Sequence, residues 1–75
     1  MKAYIIRWSE GGPTCVLARS FHEAIDVFVK NLASDGSAET AEQATDWIEG
    51  VDLWADEVLV AGRILHGTET IEVRP

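Results

Sequence analysis

The sequence predicts an α+β domain built in two layers, with a four-stranded antiparallel sheet in ββααββ order and two helices covering one of its faces. Three observations lead there. Period-two alternation opens and closes the chain, as in "KAYIIRW" and "ETIEVR". The middle of the chain switches to a 3.6-residue period, and turn clusters such as "SEGGP" (9–13) and "HGT" (66–68) separate the strands.

Taken in order, residues 1–8 form a strand with Tyr4, Ile6 and Trp8 on one face and Ala3, Ile5 and Arg7 on the other. Residues 14–19, "TCVLAR", return as its hairpin partner after a loop of about five residues. "SFHE" is a capping box in which Ser20 accepts from the backbone three residues on and Glu23 reaches back. Phe21, Ile25, Phe28 and Leu32, flanked by Ala24 and Val29, make the helical stripe that faces the sheet, and Asp35-Gly36 stops the helix. A second helix follows, with Thr40 and Gln43 as its capping box, Ser37 as a rival cap and Gly50 at its end. On its wheel Ala41, Ala44, Ile48 and Val51 gather on one side with Trp47 at the edge, opposite Glu39, Glu42, Asp46 and Glu49. A short connection, "VDLWAD", leads to 57–65, "EVLVAGRIL", expected as the most buried strand with Gly62 at a bulge or close approach. Residues 69–74 close the sheet as a solvated edge.

Seventy-five residues make one domain, 1–75, and a chain of that size buries only about 60% of the surface it exposes when unfolded. The core is therefore expected to be thin. No apolar run approaches the roughly 20 residues that span a bilayer, and the start meets a second charge, Arg7, too soon for a secretory signal. Cys15 is the only cysteine, which excludes an internal disulfide and a cysteine zinc site. A cytoplasmic location is expected.

The charge distribution is more informative than its sum of -7. Between Asn31 and Gly62 lie eight carboxylates and no Lys or Arg, whereas the rest of the chain has five acidic and six basic residues. An anionic segment is thus attached to a nearly neutral scaffold. Its field repels nucleic acid and attracts basic protein surfaces. Glu39 and Glu42 suit the positive end of a helix dipole, but Asp46 and Glu49 lie toward the wrong end, and like charges three and four apart repel by a few tenths of a kcal/mol per pair. On a continuous helix such carboxylates recur about every 5 Å, near the phosphate rise of a nucleic-acid strand, so the stripe would suit a groove built for nucleic acid.

Signatures of chemistry are sparse. The glycine pair at 11–12 lacks the spacing and following lysine of a phosphate loop. Cys15 falls in a strand with His22 and His66 as the only histidines to activate it, and a buried, inert thiol is the better expectation. His22 and Asp26 supply only two metal ligands, and the acidic segment lacks the alternation of a calcium loop. Neither an enzyme nor a metal or cofactor site is expected. Trp8 belongs to the core face, while Trp47 and Trp54 either plug the end of the core or, for Trp54 above all, anchor a partner inside a charged rim.

In size, charge and layout the chain resembles the small acidic anti-CRISPR proteins of phages, through "MKAYIIRW", the helix opening "SFHEAIDVF" after a hairpin, and the cluster Glu39, Glu42, Asp46 and Glu49. The resemblance implies a non-enzymatic inhibitor, phage- or mobile-element-encoded, that blocks a basic, nucleic-acid-binding surface of a host defence complex from within the host cytoplasm. A second resemblance, carried by "ARSFHEAI", is to HicB-type antitoxins, although the third strand before the helix and a DNA-binding tail are missing. The expected partner-binding residues are Glu39, Glu42, Asp46, Glu49, Asp52, Trp54 and Asp56, with a basic protein surface as partner and no direct contact with nucleic acid or membrane. An antitoxin or immunity-type protein, or a homodimeric assembly protein using an open sheet edge, is the competing answer.

Overall fold

A computed structural model describes residues 1–57 throughout and the backbone at 59–60, 63–64 and 70–72. The elements are β1 (Lys2–Trp8), β2 (Gly11–Ala18), α1 (Phe21–Ser34), α2 (Ala41–Trp47), β3 (Ile48–Ala55), β4 (Leu59–Val60), β5 (Arg63–Ile64) and β6 (Thr70–Glu72). Alternation in the first 18 residues produces the hairpin, which pairs from Lys2 opposite Ala18 to Trp8 opposite Gly11. It is tighter than expected, because the glycine pair belongs to β2 and only Ser9 and Glu10 lie between the strands.

The four-stranded ββααββ sheet expected from the sequence is not what forms. The body of the sheet is β3-β1-β2, with β1 in the centre and antiparallel to both neighbours, and the short β6 lies along the outer edge of β2. The overturning element is β3, which occupies residues assigned above to a helix end and a connection. Segment 57–65 supplies two short strands in place of the one expected, and among the described residues β4 and β5 pair only with each other. Val58, Ala61, Gly62 and Leu65 lie outside the described residues, as do the turn at 66–68 and both ends of the strand expected at 69–74. The architecture is still a small α+β one.

The physical reason is local. Continuing α2 to Gly50 would add three helical residues, one of them the poorest helix former after proline. Switching at Ile48 instead lets six of the eight residues of β3 pair along β1, and Val51, Leu53 and Ala55 then alternate with Asp52 and Trp54.

Both capping boxes form. Ser20 Oγ accepts from the Glu23 N–H at 3.2 Å, and Thr40 Oγ1 accepts from the Gln43 N–H at 3.1 Å. In each case the reciprocal bond reaches one residue further back: Glu23 accepts from the Arg19 N–H at 3.4 Å and Gln43 from the Glu39 N–H at 2.7 Å. Ser37 is not a cap; its N–H donates to Asp35 Oδ1 at 2.8 Å. Gly36 follows α1 at φ 83°, the left-handed conformation that ends a helix.

The main core lies between the sheet and the helices, where Tyr4, Ile6, Val16 and Ala18 meet Ala24, Phe28, Val29, Leu32, Ala38 and Ala44. Ala3, Cys15 and Leu17 are equally buried on the opposite face. Trp8 joins the pieces. Its indole lies over Gly11, where any Cβ would collide with the ring, and Nε1 donates to the Gly12 carbonyl at 2.8 Å and to Thr14 Oγ1 at 3.2 Å. The same ring meets Phe28 of α1 edge-on at 5.3 Å and stacks on Trp47 at 6.1 Å. Trp8→Ala is expected to cost about 3 kcal/mol and Trp8→Phe, which keeps the ring contacts but loses the indole donor, about 1 kcal/mol, both read from urea unfolding curves.

Candidate functional site

All seven residues expected to bind a partner are exposed, but they do not form one helical stripe. Glu39 precedes the Thr40 cap, and only Glu42 and Asp46 lie on α2. Glu49 and Asp52 belong to β3, as does Trp54, and Asp56 follows it. Because α2 ends at Trp47, the regular 5 Å repeat of carboxylates stops at Asp46. What replaces it is an acidic border that runs along α2 and continues down β3, a strand whose outer edge is unpaired among the described residues.

Two irregularities shape that border. The β1 partner steps from Gly50 to Ile48 between Arg7 and Trp8, and from Ala55 to Leu53 between Ala3 and Tyr4. Glu49 and Trp54 are therefore extra residues with no opposite, which is the signature of a bulge. Bulges twist an edge strand and re-aim side chains, so both an acidic and an aromatic side chain are displaced from the ladder. The tryptophans consequently part ways: Trp47 is half-buried against Trp8, whereas Trp54 is 61% exposed.

One carboxylate has a cation. Arg7 crosses Gly50 on the neighbouring strand and reaches Asp52 at 3.1 Å. Gly50 thus leaves the space in which the guanidinium lies and is not the helix stop expected from the sequence. Both side chains of the pair are more than half exposed, so the bond is worth no more than about 1 kcal/mol. Glu39, Glu42, Asp46, Glu49, Asp56 and Glu57 meet no Lys or Arg within ion-pair distance among the described residues. Asp26, considered above with His22, pairs instead with Lys30 at 2.8 Å. Hydrogen bonds from Ser37 hold the Asp35 carboxyl below its usual range.

The rest of the surface offers little chemistry. Cys15 is 1% exposed, and burial pushes its thiol above the ordinary value. A shallow cavity of about 350 Å³ lies between the hairpin turn and the end of α1, floored by Trp8, Phe28 and Leu32 and rimmed by Thr14, Asn31 and Asp35. At its rim the Asp35 carboxylate accepts from Ser37. Among the described residues no three metal-ligating side chains gather, and no helix is long and apolar enough to cross a membrane. No protein-family model matches the chain, and neither a curated protein nor a solved structure matches it.

Sequence reasoning missed Leu53 and Phe21, which are 52% and 45% exposed. The signal for Leu53 was the alternation in 51–55, masked by taking Gly50 as a helix end. Phe21 lies on the predicted stripe of α1 but at its first position, beyond the reach of the core.

Gly50→Ala is expected to displace Arg7, change stability by less than about 1 kcal/mol, and make Asp52→Asn neutral in its background, as a double-mutant cycle by chemical denaturation would show. Cys15 should resist alkylation until the protein unfolds. Because its folded pKa lies above the unfolded one, the neutral thiol's contribution to stability is complete below the ordinary thiol value and disappears as pH rises through the folded value. Unfolding curves for the native protein and Cys15→Ala should therefore converge with increasing pH in the alkaline range.

Proposed function

We propose that this is a non-enzymatic binding protein whose acidic border on α2 and β3 docks on a Lys- and Arg-rich surface of a nucleic-acid-binding protein, blocking it. The observation that carries the proposal is the set of six exposed carboxylates without a cation among the described residues, which follow one another from the α2 cap through α2 and along β3 to the residues just beyond it. Charge placed for solubility alone would be interspersed with the opposite sign, as it is on α1 with Asp26 and Lys30. At physiological salt the field decays over about 8 Å, so the border acts on a partner that comes into contact with it and speeds the encounter. The likeness in size, charge and layout to phage anti-CRISPR proteins makes a host defence complex, such as a CRISPR surveillance complex, the specific target class.

Binding of this kind weakens with salt and competes with the partner's nucleic acid. Affinity capture from a bacterial lysate should recover a nucleic-acid-binding protein at low salt, lose it at high salt, and release it when DNA or RNA is added. The triple variant Glu42→Lys, Asp46→Lys, Glu49→Lys should reduce the affinity for that protein at least ~100-fold while its circular dichroism stays native. Unchanged affinity in the triple variant would remove the border from the binding site.

A further inference from the structure

The four large apolar side chains left exposed among the described residues, Met1, Phe21, Leu53 and Trp54, belong to one end of the sheet. Register establishes this. Lys2 lies opposite Ala18 and Ala3 opposite Ala55, so the start of β1 and the ends of β2 and β3 coincide, and Phe21 follows Ala18 by three residues. Together they expose roughly 400 Å², a patch of the size that on a small protein marks an interaction site.

Charge is divided across this end. Asp56 and Glu57 follow β3 on one side, Arg19 lies beyond the end of β2 on the other, and Lys2 stands between them at the start of the central β1. None of the four has an ion-pair partner among the described residues. A patch with an anionic and a cationic side is complementary to itself when turned around.

We infer that this end of the sheet binds a second copy of the chain about a two-fold axis normal to the sheet. Such an axis brings two sheet ends together and reverses their lateral order, so that the β3 side of one copy faces the β2 side of the other. Asp56 and Glu57 then face Arg19 of the partner subunit, and Leu53 and Trp54 face Phe21 of the partner subunit. A two-fold axis in the plane of the sheet would set β3 against β3 and crowd the carboxylates, which excludes it. The bulge at Trp54 interrupts the ladder where an edge-to-edge strand pair would have to form, so the contact is made by side chains at the strand ends. Glu49 lies at the opposite end of β3, beside the end of β1, so dimerisation does not cover it. The dimer engages Trp54, Asp56 and Glu57 at one end of the acidic border and leaves Glu42, Asp46 and Glu49, the residues reversed in the triple variant, outside the contact.

Sedimentation velocity on the full chain over a concentration series tests this. The expected result is a monomer–dimer equilibrium that persists in high salt, weakened at least ~10-fold by Trp54→Ser and by Phe21→Ser. Arg19→Glu should weaken it, Asp56→Arg with Glu57→Arg should weaken it, and the three changes together should restore it. Circular dichroism checks that each variant is folded. A monomer at every concentration up to about 1 mM would overturn the inference and leave the patch to a different protein. So would a dimer unaffected by Trp54→Ser and Phe21→Ser together, or a charge swap without rescue.

Discussion

Much of this fold depends on where the Trp8 indole rests. It is the last residue of the central strand, and it is held over Gly11 by two hydrogen bonds from Nε1 to the hairpin it helps to form. From there its faces and edge meet Phe28 on α1 and Trp47 at the end of α2. The backbone repeats the connection, because Trp8 pairs with Ile48 and the Ser9 N–H donates to the Trp47 carbonyl at 2.9 Å. A chain with so thin a core has few large side chains to distribute. Concentrating three aromatic rings at one junction fixes the hairpin, both helices and the start of β3 relative to one another.

That junction also determines where the acidic border goes. Trp47 ends α2 by stacking on Trp8, and the next residue begins pairing with β1, so the chain passes from helix to strand with no loop between them. Carboxylates that a longer helix would have spaced regularly are instead divided between a two-turn helix and a bulged edge strand. Arg7, from the nearly neutral part of the chain, neutralises Asp52 in the middle of that edge and occupies the space that Gly50 leaves. The remaining charge is a property of the border as a whole and does not reside in any one pair.

The two ends of the sheet are unlike. At the Trp8 end the large side chains turn inward, and Phe28 is 1% exposed. At the other end Phe21, Leu53 and Trp54 turn outward, because α1 begins there and the bulge at Trp54 breaks the pairing that would have tied β3 down. A small domain is poorly able to cover both ends of its sheet from within, since the fraction of its surface that a chain buries falls as the chain shortens.

Local chemistry settled part of this structure before any packing. The hairpin, the faces of β1, both capping boxes, the glycine stop after α1 and the exposure of the six acidic site candidates follow from spacing and residue type alone, because caps, turns and period-two alternation are written within a few adjacent residues, whereas the exposure of Trp54 was left open by them. The boundary between α2 and β3 does not. Residues 48–55 carry a weak helical pattern and a weak strand pattern at once, and Gly50 suits either a helix end or a gap beneath a neighbouring side chain. Only the tertiary structure decides between them, through a long-range pairing with β1 and an arginine seven residues from the start of the chain. The same holds for the exposed end of the sheet. Met1, Phe21 and Leu53 are separated by 20 and 32 positions in sequence, and it is strand register, which no local pattern specifies, that brings them together.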